Sequence, residues 1–296
     1  QLSPSRALCR LLAAADGRTT VAACAAEVEV ELTDSILDEL DSSSDGELVD
    51  STTRTAVETA PPSGNTGTLS VVGTTSSAGN RSNQTTPLPS GLQPGDTLVM
   101  FLTTNNTTTT INNPSGWTLL ETRDGNGMRG RAWTRTAVPG DAGNVVVTTS
   151  GAAKSAMTIS AYRSSVRDSR VTASASAAVN TSATSVTAPS VAVADANSWL
   201  VSAFAEKSST TSTWTLPGTV ASRSTAASTG SGKVSAIVGD SNAPVAQGTA
   251  PSRSATVAPA VSRNISFSVA VSPGVGGGNR PPTADFTLNC VTLTCD

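Results

Sequence analysis

A chain of 296 residues is long enough for one large domain with appendages or for two domains. Aromatics make up only 3% of it, charged residues 14%, and histidine is absent, which removes the commonest metal ligand, general base and pH switch together. The net charge of −3 without a basic cluster argues against nucleic-acid binding, and no stretch approaches the roughly 20 continuous apolar residues of a membrane span.

The charge is unevenly spread. Residues 1–60 hold twelve acids against four arginines, a net of −8, while the remainder carries +5. Ser3 and Pro4 read as the cap and first residue of a helix whose face is Leu8, Leu11, Leu12 and Ala15, with Gly17 as its stop. Glu27 to Leu32 alternate glutamate with Val28, Val30 and Leu32, a strand pattern, and Thr33 or Asp34 can cap a short helix through Ile36, Leu37 and Leu40. This gives a small acidic α/β unit or a solvated arm. A sharper reading has the Val28/Val30 edge docking on another copy by strand addition.

After a Pro/Gly-rich linker at 61–67, apolar words recur between turn words. They are Leu69–Val72, Leu98–Leu102, Trp117–Leu120, Arg129–Thr136, Val145–Val147, Met157–Tyr162, Val186–Val193, Trp199–Phe204, Val234–Val238 and Ile265–Val271. About ten strands in two hundred residues predict an all-β fold over 68–273, an antiparallel, jelly-roll-like β-sandwich. With so few rings, its core is expected to be Val, Ala, Leu, Ile and Thr, which suit a pleated surface. In the last word Ile265, Phe267, Val269 and Val271 face one way and Ser266, Ser268, Ala270 and Ser272 the other, so one core face and one wet face are expected. A glycine-rich linker follows at 274–280.

Chemistry is sparse in this stretch. Glu121 with Asp124 or Glu206 supplies the residue types of a glycosidase pair, but nothing else supports that role. Asp96 and Asp141 sit in Pro-Gly-Asp turns, where a side chain capping its own backbone is the ordinary explanation. Asp124-Gly125-Asn126-Gly127 resembles a fragment of a calcium loop, yet lacks its acidic spacing and reads better as a hairpin turn. No catalytic, metal or cofactor site is therefore assigned. Trp214 has the least apolar surroundings of the tryptophans and is the first candidate for an exposed, sugar-stacking ring. Arg129, Arg131, Trp133 and Arg135 share a strand face, so either that face is wet or a bulge resets the alternation; if wet, it is a patch for an anionic partner.

The cysteines fall in two local pairs, Cys9 with Cys24 and Cys290 with Cys295, which suggests disulfides and an oxidising compartment. Asn279-Arg280-Pro281-Pro282-Thr283-Ala284-Asp285-Phe286-Thr287, followed by Cys290 and Cys295, resembles the opening strand of a PKD repeat, an immunoglobulin-like sandwich of secreted and surface proteins, so 281–296 is expected to begin such a domain. The resemblance also implies a Cys290–Cys295 disulfide. The block from Gly67 to Pro273 is similar to β-sandwich modules that precede PKD repeats in secreted actinobacterial proteins, on the strength of Leu92-Gln93-Pro94-Gly95-Asp96, Gly116-Trp117, Ala132-Trp133, Pro139-Gly140-Asp141-Ala142-Gly143 and Ala161-Tyr162-Arg163. That implies an extracellular or cell-surface setting and no reaction. The expected function is a non-catalytic module for adhesion, display or spacing. The alternatives are a subunit of a surface filament or phage tail or fibre, assembling through its acidic N-terminal unit, and a carbohydrate-binding accessory module. The expected partners are other copies of the chain or surface glycans.

Overall fold

The computed structural model describes residues 66–125 and 127–275. The acidic unit with Val28 and Val30, the segment at 281–296, and Cys9, Cys24, Cys290 and Cys295 lie outside the described residues. Fifteen strands form, every pairing antiparallel: β1 (Leu69–Pro87), β2 (Thr97–Thr104), β3 (Thr118–Gly125), β4 (Met128–Thr136), β5 (Asn144–Ser164), β6 (Arg170–Val179), β7 (Ala183–Ala188), β8 (Val191–Val193), β9 (Trp199–Ser208), β10 (Thr213–Thr215), β11 (Ala221–Ala227), β12 (Lys233–Asp240), β13 (Gly248–Ala250), β14 (Arg253–Val261) and β15 (Asn264–Ser272). Two five-stranded sheets, β1-β5-β2-β4-β3 and β11-β12-β9-β15-β6, pack face to face as a β-sandwich. Between them lie Val99, Phe101, Ala132 and Tyr162 from the first sheet and Trp199, Val201, Ile265 and Phe267 from the second.

The outer faces are covered too, which explains why β2, β9, β12 and β15 read as nearly continuous apolar runs. On the first sheet Leu98, Met100, Leu102 and Trp133 lie beneath Trp117, Val145 and Val147, where the distal halves of β1 and β5 curl over. On the second, β7, β10 and β14 cover Phe204 and Ile237, and β8 with β13 cover Leu200 and Ala270. The wet face expected of β15 is therefore corrected: Ser266, Ser268 and Ser272 are at most 1% exposed. Their hydroxyls donate to Thr187 O (2.7 Å), Pro189 O (2.6 Å) and Asp195 Oδ2 (2.6 Å), so the covering layer supplies the acceptors that water would otherwise provide.

The two halves of the chain repeat one topology. Written from β6, the second sheet runs β6-β15-β9-β12-β11, and the first runs β1-β5-β2-β4-β3, so β6, β9, β11, β12 and β15 stand for β1, β2, β3, β4 and β5. The irregularities repeat as well. One bulge falls between Val71 and Gly73 opposite Ala161–Tyr162, and its counterpart skips from Val171 to Ala173 opposite Ala270–Val271. A second falls between Leu119 and Glu121 and again between Ser222 and Ser224. Before β2 and β9 the chain turns through a positive φ, at Gly95 and at Asn197, and before β3 and β11 Trp117 N–H and Val220 N–H close the same turn onto Pro114 O and Pro217 O.

This repetition also seals the sheet edges. Thr74 Oγ1 and Ser76 Oγ on β1 donate to Arg223 O and Thr225 O on β11, each at 2.8 Å. At the equivalent corner Ser174 and Ser176 on β6 donate to the two oxygens of Glu121 on β3, each at 2.8 Å, and Arg123 donates to Ser176 O (2.6 Å). Hydroxyl-rich edge strands thus spend their side chains on the neighbouring sheet, leaving less of each edge open to another chain.

The sheets approach closely at Gly130, where a Cβ would lie 2.8 Å from Phe267 Cζ and 3.0 Å from Ile265 Cγ2. Both neighbours are held in the core, so Gly130→Ala is expected to destabilise the domain by about 1–3 kcal/mol through overpacking, read as a lower urea midpoint at unchanged slope.

Candidate functional site

The arginine face of β4 takes neither expected form. The β4 register against β2 runs unbroken from Thr97–Thr136 to Thr104–Arg129, and Trp133 is fully buried. The side chains of Arg129, Arg131 and Arg135 are only 17%, 13% and 19% exposed. Acids make this affordable. Asp124 accepts from Arg129 (2.8 Å) and Arg131 (3.1 Å), Asp141 pairs with Arg135, and the Arg135 guanidinium lies 5.6 Å over the Trp117 ring. Burial alone would raise the Asp124 carboxyl, but hydrogen bonds from Arg129 and Arg131 outweigh it and hold the group below the ordinary carboxylate value. A depressed carboxyl stabilises the fold above its unfolded value, near 3.9, and that contribution fades as pH falls through the folded one. Because Asp124 is 40% exposed, Asp124→Asn should cost about 1 kcal/mol or less at neutral pH and remove part of the acid sensitivity seen in unfolding curves below about pH 4.

The other acids also carry structural roles. Asp96 Oδ2 accepts the Gln93 N–H (2.7 Å) and Asp141 Oδ2 the Val138 N–H (2.8 Å), so both cap their own turns as expected. Asp96 also pairs with Arg163 at 2.7 Å. Asp124 and Gly125 pair with Arg129 and Met128, so the motif closes the β3–β4 hairpin through a two-residue connection; Asn126 itself lies outside the described residues. The three carboxylates considered for hydrolysis occupy different settings. Glu121 is in the β3–β6 seam, Asp124 on the arginine face, and Glu206 fully buried on the outer face of β9, accepting from Ser212 (2.8 Å) and Ser235 (2.6 Å). Trp214 is half-buried: its ring stands 6.4 Å from that of Phe204, and its Nε1 donates to Ser235 Oγ (3.0 Å). Among the described residues no helix is long and apolar enough to cross a membrane.

What sequence reasoning missed is a separation of charge along the sandwich. The chain enters and leaves at one end, where Thr66 and Val275 form an antiparallel bridge and Gly67 N–H donates to Gly274 O (3.2 Å). Near that end Arg135 pairs with Asp141, Arg163 with Asp96, Arg170 with Asp168 and Asp195, and Arg223 with Asp240. At the opposite pole, where β2 and β9 end and β4 and β12 begin, the carboxylates that Arg81, Arg129, Arg131, Lys154, Lys207, Lys233 and Arg263 meet among the described residues are Asp124 and Glu206. The chain has three lysines, and all three are here.

Local structure fixes them in place. Lys207 Nζ donates to Asn105 O (2.6 Å) and Gly127 O (3.1 Å), Lys154 Nζ to Ser231 O (2.5 Å), and Lys233 Nζ to Thr211 Oγ1 (3.0 Å). Asn105 Nδ2 donates to Gly232 O (3.0 Å), tying the β2 end to the β11–β12 turn. Among the described residues none of the three lysines, nor Arg263, has a carboxylate partner. Burial, and then the nearby charge of Arg263, push the Lys207 ammonium below its ordinary value. The signal was present in the sequence as lysines at strand ends beside Gly and Ser, but only the fold brings the ends together.

No protein-family model matches the chain, and neither a curated protein nor a solved structure is similar to it.

Proposed function

We propose that residues 68–273 are a non-catalytic display module of a surface or secreted protein. The observation that carries this reading is the Thr66–Val275 bridge. Residues paired across an antiparallel ladder lie about 5 Å apart, so the sandwich adds almost no length between its flanks and stands out to one side of the chain. That geometry favours display or adhesion over spacing, with the basic pole presented farthest from the attachment. The surface setting rests on the resemblance of the flanking words to PKD-associated proteins. The carbohydrate-binding alternative is less favoured, because the Trp214 ring packs against Phe204 and turns its N–H inward to Ser235.

The test uses the full chain against a panel of surface polysaccharides and glycoproteins, recording retention and release of reducing sugar together. Saturable retention without turnover is expected. Turnover that Glu121→Gln or Glu206→Gln abolishes would replace this reading with an enzymatic one.

A further inference from the structure

We propose that the basic pole is the docking surface for the acidic run Glu27–Asp50 of a second copy of this chain. The run carries ten acids and no basic residue over twenty-four positions. The pole carries every lysine of the protein, with Arg263 beside them, and no carboxylate among the described residues answers these four cations. The other charges of residues 66–275 are ten arginines against eight carboxylates, so these four cations make up most of the domain's excess positive charge and are complementary to one segment of the same sequence. Like charges held this close repel one another, and an incoming polyanion relieves that repulsion.

Geometry favours a neighbour over the same copy. The N-terminal run is tethered through Thr66, at the opposite end of the sheets from the lysines. Along β2 alone the separation is about 27 Å at the usual rise for an antiparallel strand. A contact within one copy requires the residues between Asp50 and Thr66 to span the length of the sheets, a requirement that does not arise for a second copy approaching with its attachment end forward. The contact is head-to-tail: run and pole are different surfaces, so each copy keeps one of each free and the association can propagate. The inference does not depend on the display reading, since it concerns the isolated chain.

The experiment mixes isotopically heavy and light full-length chains at high concentration and couples lysines to carboxylates with a zero-length carbodiimide. Because all lysines are at the pole, every lysine-linked peptide reports on it. The expected products join Lys154 or Lys233 of one label to Glu27–Asp50 of the other, and their yield falls about tenfold between roughly 0.02 M and 0.5 M salt. A second arm needs no lysine coupling: Lys154→Gln/Lys233→Gln, with unchanged circular dichroism, should speed cleavage of the run by a glutamate-specific protease about tenfold. Same-label products alone, coupling only to carboxylates outside the run, or unchanged cleavage would each overturn the inference. So would a sulfated polysaccharide that binds the pole under conditions where the run does not couple, which would assign the pole to an external polyanion.

Discussion

Arg223→Ala is expected to cost about 3–5 kcal/mol, enough to unfold most of a domain of ordinary stability. Asp240 is fully buried, and its carboxylate accepts from Arg223 Nε and NH2, each at 2.8 Å, from the Asn242 N–H (2.9 Å) and from Tyr162 Oη (3.0 Å). Tyr162 belongs to the first sheet and Asp240 to the second, so the group ties the two across the core. Removing the guanidinium leaves an uncompensated charge on a fully buried carboxylate, which costs more than the contacts deleted. Arg223→Met with Asp240→Leu should recover much of the loss, since an apolar replacement leaves no orphan charge. A double variant no more stable than Arg223→Ala would locate the effect in packing instead.

The same group sets an alkaline limit. Burial, the Asp240 charge and the hydrogen bond to it raise the Tyr162 phenol well above its ordinary value. A proton held more tightly in the folded state stabilises it below the unfolded value, near 10, and that stabilisation is lost as pH rises beyond it. Tyr162 is the chain's one tyrosine, so ultraviolet tyrosinate absorbance reads it alone. Ionisation should coincide with unfolding, and Tyr162→Phe should flatten the fall in stability above pH 10. A phenol that titrates in the folded protein near its ordinary value would contradict the burial of this group.

The strands most legible in the sequence, β2, β9, β12 and β15, are those buried on both faces. Nine of the ten apolar words lie within a strand or at its edge, Val145–Val147 and Met157–Tyr162 falling on the single strand β5, while Val186–Val193 is divided between β7 and β8 by Pro189 and Ser190. Leu98 to Leu102 and Trp199 to Phe204 are continuous because they must satisfy a core on either side. The hydroxyl-rich strands were harder to see. β6 and β11 hold few large apolar residues because they are edges whose Ser and Thr side chains or backbone carbonyls meet the opposite sheet, and β1 runs on to Pro87 through serines and threonines that bond across its own curl, Ser77 with Thr86 and Thr75 with Pro87 O. Periodicity in hydropathy cannot register a strand stabilised by hydroxyl-to-carbonyl bonds. The arginine face was legible as an anomaly, but its partners were not, since Asp124 and Asp141 reach it from the neighbouring hairpin and from the turn after β4. The charged pole needed four strand ends to be brought together. The internal repeat was hidden more deeply, because equivalent positions share geometry and seldom identity.

Phe267→Ala shows what that divergence does, and it too is expected to cost about 3–5 kcal/mol. Counted from the shared bulges, the pair Phe101–Thr158 of the first sheet is equivalent to Ala203–Phe267 of the second. Each half places one ring and one small residue at the same cross-strand site, but on opposite strands. The rings meet across the core at 5.6 Å between centroids, tilted by 38°, where Phe–Phe or Thr–Ala pairs in both halves would have overfilled or emptied the same volume. Phe267 is 1% exposed and lies over Gly130, so neither sheet can move in to fill its loss without closing on backbone. Phe101→Ala should cost nearly as much, and the double variant less than the sum of the two by about 0.5–1.5 kcal/mol, the coupling of a ring pair. Strict additivity in chemical denaturation would mean that the rings fill separate spaces, and that the two halves diverged independently of one another at this site.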